Sequence, residues 1–278
     1  MPDRPIHPAR LHFEQVMAAL YPEFFAPGQC NTCNTVQHRH RRDERLPRRA
    51  TGKVKPRMKL IIGNKNYSSW SMRAWLAAKQ SGLLFEELTV NIGGDDWQVA
   101  RRQSGEIMPS GKVPILWDGE VVVWDSLAIL EYLADKVGRE RFWPKDDAAR
   151  GMARSAVAEM HSGFRALRSE CPMNVRARIE GHRLSDECKA DVVRVLQIWA
   201  EARARHGEGG PFLFGTFGAA DVFYAPVVSR FVTYGFGVPG FAGAYMDTMW
   251  QHEWMQGWIH AAEEEEWTIE QYEVAQKG

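Results

Sequence analysis

The stretch Met58-Lys-Leu-Ile-Ile-Gly-Asn-Lys-Asn-Tyr-Ser-Ser-Trp-Ser-Met-Arg73 decides the fold of the region that it opens. It starts with an apolar run of strand length, and further on apolar residues recur at helical spacing until Gly82. We therefore predict a strand at Leu60–Gly63 and a helix at Ser71–Gln80.

Two hydroxyl groups, those of Ser68 and Ser69, lie in the turn between this strand and this helix. Unpaired N–H groups and the positive end of the helix dipole favour an anion at such a place. A hydroxyl there can donate a hydrogen bond to a thiolate, and the same field lowers the pKa of a thiol. The alternative is that Ser69 or Ser71 only caps the helix, and the turn alone does not decide between these roles.

The residues up to Gly138 continue to alternate between strands and helices. The predicted elements are a strand at Phe85–Val90, a short helical piece around Val99–Arg102, strands at Lys112–Trp117 and Glu120–Trp124, and a helix that starts at Asp125-Ser126. Asp118-Gly119 between two apolar β-rich runs is a strong hairpin signal. The order βαβαββα, over about 80 residues, predicts a small α/β layer.

Beyond Gly138 the signal for strands fades and helical spacing dominates. The predicted helical segments are 147–170, 184–206, 219–234 and 247–265. Trp250, Trp254 and Trp258 recur every four residues, which is more typical of a buried helix face than of a ligand site. The chain is therefore divided into an extension at 1–57, an α/β domain at 58–138 and an all-helical domain at 139–278.

Composition indicates an ordinary soluble protein: 278 residues, 45% of them hydrophobic and 25% charged, with a net charge of zero. The charge is uneven, because residues 1–57 carry 11 Lys and Arg against five Asp and Glu, and the rest is acidic. An acidic body argues against a nucleic-acid groove. No apolar run is long enough for a membrane span, and no apolar secretory segment opens the chain, so we expect no membrane partner and a cytoplasmic location.

Residues 1–57 differ from the rest of the chain in being rich in proline and basic residues. We expect a disordered extension there, with a short helix at Leu11 to Leu20 as its one regular element. Met58 opens the first convincing strand, so we hypothesise that translation of the native protein begins at that residue.

Four cysteines are too few and too scattered for a disulfide framework, and reduced thiols are expected. Cys30 and Cys33, followed by His38 and His40, have the residue types of a zinc site. Structural zinc sites usually separate their two ligand pairs by about a dozen residues or more, whereas the gap here is much shorter. A redox role for the cysteine pair would need a preceding strand. We therefore expect no metal.

Together these motifs resemble the cytosolic glutathione transferase family over residues 58–278, with its thioredoxin-like first domain and all-helical second domain. Ser68-Ser-Trp-Ser-Met-Arg73 is similar to the Ser-Ser-Cys-Ser-x-Arg signature of the zeta class, which includes maleylacetoacetate isomerases. The resemblance implies that Ser68 is the thiol-activating hydroxyl, with Ser69 as its neighbour. Trp70 stands where zeta enzymes carry Cys.

The resemblance also implies a set of glutathione-binding residues. Val113-Pro114 corresponds to the cis-proline corner of the family, where the backbone of Val113 pairs with the cysteinyl part of glutathione; a trans proline at a strand start is the alternative. Lys112 is implied to meet the glycyl carboxylate, or else it is a solvated lysine. Asp125 and Ser126 match the acid-Ser pair that holds the γ-glutamyl end, a role compatible with a plain helix cap.

The function implied is that of a Ser-type glutathione transferase, with glutathione as co-substrate and with the chain paired as a homodimer. We expect the site for a small apolar or aromatic electrophile between the two halves, lined by Tyr67, Trp70 and residues from 147–170. Two alternatives remain open. One is a glutathione-dependent cis–trans isomerase of the maleylacetoacetate type, for which Arg165 and Arg168 are candidate cations, and the other is a non-catalytic binding protein with the same fold.

Overall fold

The computed structural model describes residues 58–95, 97, 110–238 and 240–274. The predicted extension, with Cys30, Cys33, His38 and His40, lies outside these residues, as does the predicted helical piece around Val99–Arg102. Among the residues described, no group of three or more His, Cys, Asp or Glu side chains is arranged to hold a metal ion. Within the same part of the chain, no helix is long and apolar enough to cross a membrane.

A four-stranded mixed sheet forms the centre of the first half. Its strands are β1 (Met58–Gly63), β2 (Phe85–Val90), β3 (Ile115–Asp118) and β4 (Val121–Trp124), in the order β2-β1-β3-β4. β2 is parallel to β1, whereas β3 is antiparallel to both β1 and β4. This is the predicted thioredoxin-like sheet. The hairpin loop is Gly119-Glu120 rather than Asp118-Gly119, because Asp118 still pairs with Val121 and Gly119 takes the positive φ of 64°.

Two helices pack on this sheet, α1 (Ser69–Ser81) and α2 (Ser126–Val137). α1 begins two residues earlier than predicted because Ser68, and neither Ser69 nor Ser71, is its N-cap. It ends at Gly82, which adopts the left-handed conformation that an L side chain resists. Almost every side chain of α1 is buried, since the sheet covers one face and the helical half covers the other.

The second half is all-helical, as predicted. Its helices are α3 (Asp147–Ser162), α4 (Arg165–Glu170), α5 (Asp186–His206), α6 (Ala219–Thr233), α7 (Gly240–Gln251) and α8 (Glu253–Glu263). Two predicted helices are each divided in two. The 147–170 segment breaks at Phe164, which has a positive φ of 58°, and the 247–265 segment breaks at His252, which caps α8. Short 3₁₀ turns lie at Arg139–Arg141 and Glu270–Tyr272.

α6 is the centre of the helical half and packs against α1, α3 and α7. Gly218 precedes it as the N-cap, and Asp221 accepts hydrogen bonds from Gly218 N (2.8 Å) and from Leu213 N (3.1 Å). These contacts give Asp221 a structural role at the start of α6. One apolar core extends across both halves, so the two form a continuous body.

The three tryptophans at four-residue spacing do not share one helix face. Trp250 belongs to α7, whereas Trp254 and Trp258 belong to α8, because His252 separates the two helices. Trp258 is fully buried and donates a hydrogen bond from its indole to Lys65 O (2.9 Å). The predicted burial therefore holds completely for Trp258 and partly for the other two.

Candidate functional site

Ser68 lies at the N-terminus of α1, with 6% of its surface exposed. Its Oγ accepts a hydrogen bond from Ser71 N (3.3 Å) and donates one to Ser71 Oγ (2.8 Å). Ser71 Oγ also accepts from Gly63 N (2.9 Å), at the end of β1. These bonds tie the strand to the first turn of the helix, so the position of Ser68 is fixed from both sides.

The N-terminus of α2 presents a second polar group beside the sheet. Asp125 is the N-cap, and its Oδ1 accepts from Leu127 N (2.8 Å). Ser126 is the first residue of the helix and is buried, yet its Oγ has no hydrogen-bond partner among the described residues. A buried hydroxyl without a partner is costly. The N-terminus of α2 therefore has one buried polar atom, Ser126 Oγ, that no other described group engages.

The Val113–Pro114 peptide bond is cis, as the resemblance implied. The corner that it forms lies against the end of β1, since a Cβ placed on Gly63 would be 3.1 Å from Val113 Cγ2. Pro114 is buried, whereas Lys112 is exposed. Val113 thus lies near the strand end that leads into the Ser68 turn.

Trp70 is enclosed by cationic groups. The guanidinium groups of Arg73 and Arg168 lie over its ring, 4.8 Å and 4.6 Å from the centroid, and the ring of His161 meets its edge at 5.2 Å. Burial, followed by the charges of Arg168 and Arg230, lowers the pKa of Arg73. Arg73 forms no ion pair within the described residues, and its Nε donates to the carbonyl of Phe223 (3.2 Å).

His161 joins this group to the N-terminus of α2. Its Nε2 lies 3.4 Å from Asp125 Oδ2. Burial lowers the pKa of His161, and although Asp125 opposes that shift, Arg73 and Arg168 add to it. The imidazole is therefore neutral at pH 7, and it connects the helical half to the first half without adding a charge.

A cavity of about 320 Å³ opens beside the two serines, between the two halves. It is lined by Tyr67, Ser68, Ser69, Trp70, Ile92, Arg168, Pro172, Met173, Arg230 and Tyr272. Its volume is at the lower end of the range for small-molecule sites. Both cationic groups in this lining, Arg168 and Arg230, come from the helical half.

Two family models match this chain, one to each half. The model of the glutathione S-transferase N-terminal domain matches residues 67–136, and the model of the C-terminal domain matches residues 176–263. Together they span more than half of the chain. The chain belongs to the glutathione S-transferase family.

Relatives within the glutathione S-transferase family are distant. Glutathione S-transferase 1 of Dianthus caryophyllus is 28% identical over 183 residues, which are 65% of this chain and 80% of that protein. Glutathione S-transferase Z2 of Arabidopsis thaliana is 35% identical over 104 residues, 36% of this chain and 46% of that protein, so this match spans less than half of the relative. A glutathione transferase homolog from Burkholderia, solved with bound glutathione, superposes with a TM-score of 0.54 at 23% identity, covering 75% of this chain and 98% of that one. That likeness shows the fold.

Apart from Arg165, the predicted site residues fall into two groups. Tyr67, Ser68, Ser69, Trp70 and Arg168 line the cavity. Lys112, Val113, Pro114, Asp125 and Ser126 lie outside its lining, at the proline corner and the N-terminus of α2. Arg165 is exposed and does not line the cavity.

The sequence did not reveal Arg230, the second cationic residue that lines the cavity beside the two serines. It is buried, its Nη2 lies 3.5 Å from Ser69 Oγ, and burial lowers its pKa to about 10. The sequence feature that could have pointed to Arg230 is its charge inside the otherwise mostly apolar stretch Val227-Val-Ser-Arg-Phe-Val232.

The contribution of the C-terminal segment to the cavity was also not predicted from the sequence. Tyr272 lines the cavity and lies beside Tyr67, with the ring centroids 5.7 Å apart and the rings tilted by 31°. The Tyr67 hydroxyl donates to Glu273, and Arg176 Nη2 donates to that hydroxyl (3.1 Å). Glu265 accepts from the backbone N–H groups that precede Tyr67. The end of the chain thus holds the turn that carries the two serines.

Proposed function

We propose that this chain binds glutathione and uses the Ser68 hydroxyl to hold the glutathione sulfur as a thiolate that attacks a small electrophile. The observation that carries the proposal is the position of Ser68 at the N-terminus of α1, on the wall of the cavity. A hydroxyl and the first N–H groups of a helix favour an anion at the same place. Ser69, its neighbour in the turn, is the second candidate hydroxyl.

The residues at the N-terminus of α2 fit the amino-acid end of glutathione. The buried Ser126 Oγ, which lacks a partner among the described residues, would donate to the γ-glutamyl carboxylate. Asp125 would face the ammonium group. Val113, before cis Pro114, would pair with the cysteinyl part through its backbone, and Lys112 would meet the glycyl carboxylate.

Ser68 would act by turning its O–H group, so that its hydrogen bond goes to the glutathione sulfur and no longer to Ser71 Oγ. In the structure its hydroxyl donates to Ser71 Oγ, and that hydroxyl can instead donate back to Ser68 Oγ. Ser68 is then free to donate to the sulfur. A thiol titrates near pH 8.5, so lowering its pKa by about two units, or about 2.7 kcal/mol, makes the thiolate dominant at neutral pH. The sulfur then bonds to an electrophilic carbon, and the leaving group departs to solvent.

Isothermal titration calorimetry with glutathione tests the binding step. We expect the parent protein to bind glutathione and the Ser126→Ala variant to bind it about tenfold more weakly, because a charge-assisted hydrogen bond is lost. Ser155→Ala is the matched control, since Ser155 is an exposed serine on α3. Absence of glutathione binding at millimolar excess would refute the proposal.

Turnover of an aryl chloride with glutathione tests the chemical step. Ser68→Ala should reduce kcat/KM, and the Ser68→Ala, Ser69→Ala double variant should be close to inactive. If the double variant keeps the activity of the parent, the role given to these hydroxyls is wrong.

A second candidate function is the glutathione-dependent cis–trans isomerisation of a dicarboxylate. The presence of Arg168 and Arg230 on the cavity wall favours it, since these groups suit carboxylates. An isomerase would consume a maleyl-type diacid without net loss of glutathione, and that balance separates the two reactions. If glutathione binds and neither reaction occurs, a non-catalytic binding role gains support. The homodimer stays a prediction.

A further inference from the structure

His161 and Asp125 meet where the helical half touches the N-terminus of α2. His161 lies in the last turn of α3, and its Nε2 is 3.4 Å from Asp125 Oδ2. The side chain of His161 is 26% exposed, and that of Asp125 is 43% exposed. The imidazole is therefore partly enclosed, while the carboxylate stays within reach of a ligand.

The direction of the Asp125 carboxylate is set by its backbone and by one of its two oxygens. Asp125 has a φ of 76°, which L residues rarely adopt, and such strained positions cluster at ligand-binding sites. Its Oδ1 accepts from Leu127 N (2.8 Å) and Ala128 N (3.4 Å) as the cap of α2. Its Oδ2 takes no part in these cap bonds and faces His161. Oδ2 is therefore the oxygen that can meet both the imidazole and a ligand.

The surroundings of the imidazole decide which ring nitrogen carries its proton. Nδ1 of His161 is buried and has no hydrogen-bond partner among the described residues. A neutral imidazole has one N–H group and one nitrogen lone pair, and a lone pair on Nε2 would face the negatively charged Oδ2 of Asp125. The proton therefore belongs on Nε2, where the N–H group presents its positive end to the carboxylate.

Rings and a backbone contact hold the imidazole in this position. The ring of His161 meets the edge of Trp70, with the centroids 5.2 Å apart, and lies 6.0 Å from the ring of Phe223. Arg168 donates from its guanidinium to the carbonyl of His161 (3.3 Å). Three helices, α1, α4 and α6, thus contribute to orienting the imidazole toward Asp125.

The charges around His161 disfavour a second proton on its ring. The charged groups that act on it come from three helices: Asp125 of α2, Arg73 of α1 and Arg168 of α4. Burial lowers the pKa of His161 first, the carboxylate opposes that shift, and the two arginines add to it. α5 also packs on α3, and its Arg194 pairs with Glu159 (2.7 Å). The imidazole therefore becomes a cation only below its ordinary pKa of about 6.5.

We propose that His161 is a positioning residue for Asp125: its Nε2–H group holds Oδ2 toward the ammonium group of glutathione, and its protonation weakens glutathione binding. The inference rests on the proposed function and adds a residue and a pH control to the subsite for the γ-glutamyl end. An imidazolium would neutralise Asp125 and would face the glutathione ammonium group as a like charge. The affinity for glutathione is therefore full above the pKa of His161 and falls as the pH drops through that value.

Calorimetry with S-methylglutathione tests the proposal, because the sulfur of this compound carries no proton and the titration of the thiol is removed. We expect the parent to bind it about threefold or more weakly at about pH 5 than at about pH 7.5. The analogue of S-methylglutathione without the α-amino group has no ammonium to repel, so its affinity should not fall over the same range. The same loss for both compounds, or no loss for S-methylglutathione, would overturn the proposal.

Two substitutions of His161 separate its hydrogen bond from its charge. His161→Leu lacks the donor and should bind S-methylglutathione about threefold or more weakly than the parent at about pH 7.5. His161→Gln supplies an amide N–H group that does not titrate, so it should bind more tightly than His161→Leu and lose the pH dependence. If His161→Gln is as weak as His161→Leu, or keeps the pH dependence of the parent, the role given to His161 is wrong.

His260→Gln is the matched control, because His260 also lies beside a carboxylate. Its Nε2 is 3.3 Å from Glu264 Oε1, but the side chain is 74% exposed on α8 and does not line the cavity. This variant should show the affinity and the pH dependence of the parent, and a lost pH dependence here would contradict the assignment to His161. Failure of both glutathione and S-methylglutathione to bind at about pH 7.5 overturns the proposed function instead, so the two failures are distinguishable.

Discussion

Replacing Asp221 by asparagine should change how the stability of this protein depends on pH. Asp221 is fully buried at the start of α6. Burial raises its pKa to about 6, and the hydrogen bonds from Leu213 N and Gly218 N only partly oppose that shift. In the unfolded chain the same carboxyl titrates near pH 3.9.

The sign and size of the effect follow from these two pKa values. Between about pH 4 and about pH 6 the folded protein holds the Asp221 proton and the unfolded chain does not. The free energy of unfolding therefore falls as pH rises through this window, by about 1.4 kcal/mol per unit and about 3 kcal/mol in total. The contribution is fully present below pH 3.9 and is lost above the folded pKa.

Urea unfolding of the parent and of Asp221→Asn, measured at several pH values, checks this prediction. Asparagine does not titrate. The free energy of unfolding of the parent, measured relative to that of the variant, should therefore fall by about 3 kcal/mol between acidic and neutral pH. An unchanged urea m-value shows that both proteins unfold in the same way. A difference that stays constant, or that grows with pH, would mean that the two N–H groups outweigh burial, and the reasoning would be refuted.

Three further substitutions have expected outcomes. Ser68→Ala should cost about 1 kcal/mol of stability through the lost cap and raise the pKa of bound glutathione by about one unit or more, measured by ultraviolet thiolate absorbance. Gly218→Ser should destabilise by about 1–3 kcal/mol although serine caps helices well, because its Cβ would lie 2.9 Å from Phe142 O; thermal unfolding measures this. Trp70→Leu should cost about 2 kcal/mol in urea unfolding, since two cation–π contacts are lost.

Each of these substitutions has a control. Ser155→Ala should leave the thiol titration as it is, and an equal shift in that variant would contradict the role of Ser68. Gly218→Ala places the same Cβ without a hydroxyl, so a stabilised Gly218→Ser protein beside a destabilised alanine variant would show that the cap wins over the clash. Trp70→Phe keeps a ring and should lose less stability than Trp70→Leu.

β1, β3 and β4 were predictable because each is a short, largely apolar run bounded by turn residues. β2 begins and ends where the sequence placed it, and the parallel and antiparallel pairings follow from the predicted order of elements. The divided helices were not predictable in the same way. Apolar spacing continues across Phe164 and His252, and what breaks each helix is a local conformation that spacing does not encode: a left-handed phenylalanine and a side-chain cap.

The candidate site was predictable where a local motif marks it. Ser68, Asp125 and the Val113–Pro114 corner each belong to a short segment that can be recognised by itself. Arg230 could not be found in this way, because its relevance depends on α6 packing behind α1, far along the chain from the serines. The same holds for Tyr272, which reaches the cavity only through the contacts of the C-terminal segment.

The two halves contribute different residues to the candidate site, and those of the helical half were harder to predict from the sequence. The first half supplies Ser68 and Ser126, which lie at helix N-termini and, in the proposed function, would contact glutathione. The helical half supplies Arg168 and Arg230 to the cavity wall. Trp70 follows the serines in sequence, and the guanidinium groups of Arg168 and Arg73 both lie over its ring. A tryptophan ring binds a guanidinium group by its face, which a cysteine at this position would not do. Trp70 is therefore better explained by its contacts with Arg73 and Arg168 than by thiol chemistry.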